Sequence, residues 1–437
     1  MPTGDGLLVR INPLAGEIAP NILIGLAESA ARHGNGIVEV TARGSIQIRG
    51  LTAESASLLA EEVDTLGIAV RSGVPVDTSP LAGMDPAEIA DPVPLAAAIR
   101  TAIEQAGLAP RLGPKVSVVV DGRGQIGLGA IMGDVRLMAV GAGRWRLSVA
   151  GDEASAPSVG KFGSDAACMA TLNILNAIVA LGREGRARDL SPEVVRAATE
   201  GSETSHSFAP LLADSDGSTP EHSAVTDSSP IGILPLSDSR IALRIALPFG
   251  SMDASTLINF CRAATAAGAT GIRPAPGRTL LVMGPDRASA AALTTTASSL
   301  GLVTSPNDPR IRIAACPGAP ACASGMISAR DVAADIAADL GEDLDPTLSL
   351  HVSGCAKGCA HPGPATLTIV GDEKGAVFVV GGTAKGLPAA YTAGYEAARG
   401  MGRLTKLLAQ ERKPDENAAA CLARLGAKRL AQALAQE

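Results

Sequence analysis

The chain has 437 residues, more than one ordinary hydrophobic core takes up, so we expect about two to four domains. Its formal net charge is -7 and only 2% of its residues are aromatic, which argues against a nucleic-acid binder, since such proteins need basic surface and often aromatic platforms. No charged and then apolar leader opens the sequence, and its longest apolar run, residues 166–182, is interrupted by polar residues and short for a membrane span. We therefore predict a buried helix there and a soluble, cytoplasmic protein.

Residues 6–71 alternate between two periodicities. Four segments have the composition and alternation of strands, and two have the apolar spacing of helices. The predicted strands are residues 7–11, 38–41, 45–49 and 68–70, and the predicted helices are residues 20–33 and 53–66. Pro20 and Gly34 are typical of the start of a helix and of the position after its end. The order β-α-β-β-α-β is that of a ferredoxin-like unit.

A shift of 234 positions lays this unit on a second one without a gap, so that Arg10 falls on Arg244 and Gly34 on Gly268. Punctuating glycines that coincide over such a length indicate two copies of one module. We therefore predict an α+β protein of pseudo-twofold duplicated architecture, with two ferredoxin-like half-domains and two larger α+β domains.

The predicted boundaries follow this duplication. They are 1–75 for the first ferredoxin-like half-domain, 76–200 for an α+β domain, 201–232 for a Ser/Pro-rich linker, 233–305 for the second half-domain, and 306–437 for a second α+β domain with a C-terminal helix.

A glycine motif, Gly122-Arg-Gly124-Gln-Ile-Gly127, matches the dinucleotide-binding fingerprint and follows a predicted strand. The run after it, residues 128–140, is apolar and strand-like, whereas the fingerprint needs a helix N-terminus to hold the pyrophosphate. We interpret the motif as a hairpin loop.

Four of the seven cysteines form two short-spaced pairs, Cys316-x5-Cys322 and Cys355-x3-Cys359, in Gly/Pro-rich segments. Such segments suit an iron–sulfur cluster, because thiolates hold the iron and backbone amides donate hydrogen bonds to the sulfurs. Zinc is an alternative, although its usual signature is a pair of Cys-x2-4-Cys knuckles. Buried or disulfide-bonded cysteines are a third, and disulfides are rare in cytosolic enzymes.

The cysteine spacing resembles that of the sulfite and nitrite reductase superfamily. This resemblance implies that Cys316, Cys322, Cys355 and Cys359 hold a [4Fe–4S] cluster and that Cys359 faces a tetrapyrrole. In that superfamily the two halves sandwich the tetrapyrrole, and basic residues of the first half hold its carboxylates. The matching substrate-binding positions in this sequence are Arg10, Arg43, Gln47 and Arg49.

Two of these residues alternate with isoleucines along a predicted strand. Gln47 and Arg49 follow Ile46 and Ile48, so both polar side chains are predicted to leave the strand on the face opposite the core. Without the resemblance, an exposed sheet face solvated by charged groups explains this pattern equally well.

The sequence departs from the reductases at their basic cage for sulfite or nitrite. Val74 stands where they carry an arginine, and Pro114-Lys115-Val116-Ser117 stands where they carry Arg-Lys-Phe-Lys. Stabilising a small dianion takes several converging cations, and Lys115 alone remains. Lys115 is therefore a candidate catalytic residue that steers a carboxylate of a larger substrate.

This combination of motifs resembles the precorrin-3B synthase family of aerobic cobalamin biosynthesis. The resemblance rests on the opening Met-Pro-Thr-Gly-Asp-Gly, on residues 41–50 and on residues 353–362. It implies a monooxygenase that uses O2 to hydroxylate precorrin-3A at C20 and to close a γ-lactone. It also implies NADH as the ultimate electron donor, through a separate reductase because we find no dinucleotide site.

The family is also associated with a mononuclear non-haem iron. His351 and His361 are the nearest imidazoles to the cysteines in the sequence, and His361 is the candidate catalytic residue. Alternatively, each is a loop or strand histidine that is hydrogen-bonded to backbone.

Two rival functions remain. A sirohaem-dependent nitrite or sulfite reductase would use the same scaffold, but Val74 and Ser117 disfavour it. A non-enzymatic electron-transfer iron–sulfur protein is disfavoured because a carrier has no need of so long a chain.

Overall fold

The computed structural model describes residues 2–13, 16–200, 230–341, 344–345, 347–393 and 396–435. The linker predicted at 201–232 lies, up to residue 229, outside the described residues.

The described residues form both strands and α-helices, with runs of consecutive strands at residues 118–163 and 350–392. The strands are β1 (Pro2–Thr3), β2 (Gly6–Ile11), β3 (Ile37–Val40), β4 (Ile46–Leu51), β5 (Val76–Asp77), β6 (Val118–Asp121), β7 (Gly133–Gly141), β8 (Arg144–Gly151), β9 (Ser158–Gly163), β10 (Gly232–Pro235), β11 (Ile241–Ala246), β12 (Ser251–Asp253), β13 (Gly271–Ala275), β14 (Thr279–Met283), β15 (Ile313–Ala315), β16 (Leu350–Ser353), β17 (Ala365–Asp372), β18 (Gly375–Gly382) and β19 (Ala390–Thr392). The α-helices are α1 (Pro20–His33), α2 (Ala53–Thr65), α3 (Val93–Gln105), α4 (Ser164–Ala180), α5 (Pro192–Thr199), α6 (Ala254–Ala266), α7 (Arg287–Ser299), α8 (Ala329–Leu340), α9 (Ala397–Glu411) and α10 (Ala418–Ala435).

The chain divides into two compact units. The larger unit comprises residues 1–69, 231–233 and 243–437, and the smaller comprises residues 70–230 and 234–242. The larger unit therefore contains the first ferredoxin-like module, most of the second and all four cysteines of the two pairs.

The first module begins as its sequence predicts. Helix α1 starts at Pro20, and the amide of Gly34 caps its end by donating to the Ala30 carbonyl. The strand predicted at residues 68–70 does not form. Gly67 ends α2 in the left-handed region (φ 71°), and the Ile68 amide turns back to the Val63 carbonyl at 3.2 Å. This helix-ending turn uses the amide that a strand would need for its ladder.

The two modules pack against each other and are related by pseudo-twofold symmetry. Ile18 lies opposite Ile272 of β13, and Met252 of β12 lies opposite Val38 of β3. A shift of 234 positions converts the first of these pairs into the second, so one contact is made twice. Helices α1 and α6, which the same shift also relates, pack against each other. The duplication read from the sequence is therefore confirmed.

The cysteine-bearing part of the larger unit is a sheet ordered β15-β16-β17-β18-β19. The first two ladders are parallel and the last two are antiparallel. Its core packs the sheet against α8, α9 and α10, with Leu350, Val352, Ile336 and Leu404 among the buried residues. The C-terminal helix contributes Leu422 to this core.

The smaller unit repeats this arrangement. Its sheet has the order β5-β6-β7-β8-β9, again with two parallel ladders followed by two antiparallel ones. Helix α4 buries one face, including Ile174 and Ile178, while Met169 is exposed. The hairpin loop predicted for residues 122–127 is wrong, because β6 and β7, the strands on either side of this segment, pair in parallel. No helix follows the glycines before β7, so the segment does not form a dinucleotide fingerprint either. Among the described residues no helix has the length and apolarity needed to cross a membrane.

Candidate functional site

The sheet topology brings the two cysteine pairs together. Cys316 directly follows β15, and Cys355 follows β16 after a single residue, Gly354. Because β15 and β16 are neighbouring parallel strands, with Ala315 opposite Val352, their carboxyl ends lie at the same edge of the sheet. We call residues 316–327 the first cysteine loop and residues 354–364 the second.

The two cysteine loops pack backbone to backbone. The Met326 amide of the first loop donates to the Gly354 carbonyl of the second at 2.7 Å, and within the first loop the Cys322 amide donates to the Gly318 carbonyl at 2.8 Å. A Cβ atom on Gly354 would lie 2.8 Å from Cα of Gly318, and Gly318 itself has φ 67°. A side chain at Gly354 would therefore separate the loops, and one at Gly318 would strain its left-handed backbone and collide with the Ile327 carbonyl.

The sulfur atoms of the two loops share one electrostatic environment. Burial raises the pKa of the Cys359 thiol, and the charges of Cys316, Cys355 and Cys322 raise it further, whereas Lys357 lowers it. Thiolates held close together need a positively charged partner to be stable. Cys316, Cys322 and Cys355 are half-buried, and Cys359 is exposed.

This donor set suits an iron–sulfur cluster. The Gly354 amide points at the Cys316 sulfur at 3.1 Å, which is the kind of hydrogen bond that such clusters accept. No group of three or more His, Cys, Asp or Glu side chains is arranged to hold a metal ion within the ranges that the structure describes. In a [4Fe–4S] cluster each thiolate binds a different iron atom, so its four sulfurs do not meet at one point.

The two predicted histidines are neighbours in the structure, His351 in β16 and His361 in the second cysteine loop. Their ring centroids are 5.7 Å apart at an interplanar angle of 70°. His351 is 0% exposed, and neither of its ring nitrogens has a hydrogen-bond partner in the described part of the chain. Burial lowers its pKa to about 3, with further contributions from His361 and Arg278. His351 is therefore neutral at physiological pH, and Nε2 of His361 lies 3.1 Å from the Pro364 carbonyl.

The four predicted substrate-binding residues divide into two exposed and two buried side chains. Arg10 and Arg43 are exposed, whereas Gln47 is 7% and Arg49 4% exposed. An exposed, solvated face is therefore wrong for Gln47 and Arg49. Gln47 accepts a hydrogen bond from Nε of Arg10 at 3.1 Å. The backbone of Arg43 forms an isolated antiparallel β-bridge with Pro276 of the second module.

Arg49 donates its hydrogen bonds to other residues of the protein. It donates to both carboxylate oxygens of Asp5, at 3.1 and 2.9 Å, and to the carbonyl of Ala321 in the first cysteine loop at 2.6 Å. Its guanidinium also lies 3.9 Å from the carboxylate of Glu39. Asp5 was not singled out by the sequence, although it belongs to the opening motif.

Glu39 is a buried acid that the sequence analysis missed. Gln47 and Arg330 of α8 both donate to its carboxylate, so this residue joins the first module to the cysteine-bearing sheet. The signal was present, since Glu39 stands between Val38 and Val40 in a strand and lies directly opposite Gln47. A single acid in an apolar strand calls for a buried partner.

Two arginines of the second module were also not predicted as residues of the site. Arg278 donates to the carbonyl of Ala360 in the second cysteine loop at 2.6 Å. Arg244, the repeat counterpart of Arg10, is 1% exposed and donates to Thr279 and Pro276 at 3.1 and 2.9 Å. The repeat relates Arg244 to Arg10, but the two arginines have different surroundings.

The remaining predicted residues lie in the smaller unit. Lys115 is exposed, in a turn closed by the Val116 amide on the Gly113 carbonyl at 3.1 Å. Ser117 is buried and its amide donates to Asp134 at 3.1 Å, while Val74 packs against the hydrophobic core. Ser117 thus lies in the interior of the smaller unit, and Val74 lies half-buried at the edge of its core.

Comparisons with known proteins agree with this architecture. Residues 1–66 match the nitrite/sulfite reductase ferredoxin-like half domain. A solved structure of the Mycobacterium tuberculosis NirA protein is similar in fold, with a TM-score of 0.76, 17% identity, and coverage of 97% of this chain and 84% of that one.

A curated relative extends the similarity to the sequence of the whole chain. The precorrin-3B synthase of Sinorhizobium sp is 39% identical over 100% of this chain and 93% of its own length. At this identity and coverage, the chain belongs to the precorrin-3B synthase family.

Proposed function

We propose that this protein is a monooxygenase that hydroxylates precorrin-3A at C20 with O2 and closes a γ-lactone. The observation that carries the proposal is the full-length similarity to a precorrin-3B synthase, in a chain that retains both cysteine pairs. One atom of O2 enters the product and the other leaves as water, which takes two electrons. We propose NADH as their ultimate source, through a separate reductase.

A [4Fe–4S] cluster held by Cys316, Cys322, Cys355 and Cys359 would pass electrons one at a time. The structure supports this assignment through the two loops that meet at one sheet edge and through the Gly354 amide that faces the Cys316 sulfur. The close approach of Gly354 to Gly318 leaves no room for a side chain between the two loops.

We propose that Arg10 and Arg43 bind carboxylates of the tetrapyrrole. Both are exposed on the first module, and a guanidinium meets a carboxylate with two parallel hydrogen bonds. Gln47 would act through Arg10, because its Oε1 accepts a hydrogen bond from Nε of Arg10 at 3.1 Å. Arg49 has its hydrogen bonds directed to Asp5 and Ala321, so its contribution to substrate binding would be indirect.

For the mononuclear non-haem iron we propose His361 as a ligand. When Nε2 of His361 donates to the Pro364 carbonyl at 3.1 Å, the lone pair lies on Nδ1. Metal-bound histidines commonly donate their other ring N–H to a carbonyl in this way, which fixes both tautomer and orientation.

An absorption spectrum of the purified protein, followed by an assay with precorrin-3A under O2, tests the proposal against its two rivals. Cluster absorption with conversion of precorrin-3A supports the synthase. A sirohaem Soret band identifies a reductase, and cluster absorption without conversion identifies an electron carrier.

A further inference from the structure

Each ferredoxin-like module sends one arginine to one cysteine loop. Arg49 of the first module donates to the carbonyl of Ala321, the residue before Cys322. Arg278 of the second module donates to the carbonyl of Ala360, the residue after Cys359. Both bonds measure 2.6 Å, and each loop is thereby attached to a module distant in sequence.

Arg49 is held in place before it reaches the loop. Its two hydrogen bonds to Asp5 form a bidentate pair, which fixes the plane of the guanidinium. The segment that carries Asp5 also touches the loop, because a Cβ atom on Gly4 would lie 2.4 Å from the Ala323 amide nitrogen. The first cysteine loop is therefore enclosed by Arg49 and by the N-terminal segment together.

Arg278 is directed to its loop by local backbone geometry. It lies in the turn between β13 and β14 with φ 64°, and its carbonyl accepts from the Leu247 amide at 3.0 Å. Its side chain passes over Gly250, where a Cβ atom would lie 2.7 Å from the arginine Cδ. The glycine at this position thus leaves the path to Ala360 open.

We propose that Arg49 and Arg278 are positioning residues that hold the two cysteine loops in the geometry that the cluster requires. The inference rests on the cluster assigned under the proposed function. Loops without regular secondary structure lose conformational entropy when four thiols are fixed, and hydrogen bonds from a charged donor offset part of that cost. Loss of either bond should therefore leave the cysteines in place but less well ordered.

The test compares Arg49→Gln and Arg278→Gln with a matched control, Arg424→Gln. Arg424 also combines a bidentate carboxylate, Glu416, with one backbone carbonyl, that of Glu411, but it lies in the C-terminal helix. After anaerobic reconstitution, the rate at which a chelator removes the cluster absorbance is measured for each protein. Hydrogen exchange of the cysteine loops is measured separately in the apo-proteins.

We expect both loop variants to lose the cluster roughly ten- to a hundredfold faster than the wild type, the range for one charge-assisted hydrogen bond. In the apo-proteins, exchange should rise in residues 316–327 for Arg49→Gln and in residues 354–364 for Arg278→Gln. Arg424→Gln should match the wild type in both measurements. Arg49→Lys should restore part of the protection, since an ammonium still donates to the carbonyl.

If Arg49→Gln does not fold, Asp5→Asn replaces it and should show a smaller change in the same direction. If both variants lose the cluster no faster than the wild type, the inference is wrong and the proposed function is unaffected. A wild-type protein that takes up no cluster overturns the inference together with the proposed function.

Discussion

The backbone amide of Gly354 donates a hydrogen bond to the sulfur of Cys316 at 3.1 Å. The donor belongs to the second cysteine loop and the acceptor to the first, so this bond crosses between the two pairs. Amide donors stabilise the negative charge of a thiolate and tune the potential of a cluster bound to it. The four cysteines should therefore behave as one site, and removing one should affect the others.

Replacing Cys322 with serine should abolish the cluster absorption and lower the stability of the cysteine-bearing sheet. A serine hydroxyl is a poor substitute for a thiolate on iron, and the loops have little apolar surface of their own to pack. Iron and sulfide content, with the visible spectrum, measure the effect. Cys168→Ser, at a half-buried position of α4, should keep the full cluster. Retention of colour and iron by Cys322→Ser would refute the ligand assignment.

Replacing Arg43 with alanine should raise the KM for the tetrapyrrole and leave the cluster intact. A lost charge-assisted hydrogen bond costs about 1.5 to 3 kcal/mol, or roughly ten- to a hundredfold in affinity. Arg32→Ala is the control, since this exposed arginine of the same module pairs with Glu62 on the surface. An unchanged KM for Arg43→Ala would show that this arginine does not bind substrate.

Replacing Glu39 with alanine should destabilise the larger unit by about 3 to 5 kcal/mol, the usual cost of removing one partner from a buried ion pair. Arg330 and Arg49 would lose the carboxylate that they share. Denaturant unfolding measures the change. Glu28→Ala, at an exposed position of α1, should cost less than about 1 kcal/mol. A similarly small loss for Glu39→Ala would mean that water replaces the carboxylate.

The stability of the smaller unit should depend on pH through Glu88. Burial is the main cause that raises the pKa of Glu88 to about 7. The hydrogen bond from the Gly83 amide lowers this pKa, and the charges of Asp85, Asp91 and Asp121 raise it. Because the folded value lies above that of the unfolded chain, the folded state binds the proton more tightly. Stability from this group is therefore present at low pH and falls as the pH rises toward about 7.

Glu88→Gln should remove this dependence, since the amide keeps the acceptor oxygen and carries no charge. The melting temperature of the variant should exceed that of the wild type more at pH 8 than at pH 5. An equal difference at both pH values would show that Glu88 ionises normally.

The sequence predicted those parts of the fold that depend on local patterns. Pro20 and Gly34 mark both ends of α1 because each residue satisfies a backbone requirement of a helix terminus. The shift that relates Arg10 to Arg244 predicted the duplicated modules. The strand predicted at residues 68–70 was wrong. Their composition is apolar, but the turn at Gly67 directs the Ile68 amide to the Val63 carbonyl and away from a strand ladder.

The site was less accessible to prediction, because its contacts join residues that are far apart in the chain. Alternation places Gln47 and Arg49 on one face of β4, but it does not show that Gln47 binds Glu39 of the neighbouring strand or that Arg330 binds Glu39. Pro276-Gly277 indicates the turn that carries Arg278, but nothing in the sequence shows that the side chain of Arg278 reaches the second cysteine loop.

Turnover of precorrin-3A under isotopically labelled O2 tests the central claim most directly. The protein carrying its cluster, with a reductase and NADH, should yield a hydroxylated γ-lactone in which the new oxygen at C20 comes from O2, as mass spectrometry of the product would show. Oxygen at C20 that derives instead from water would contradict the proposed monooxygenase.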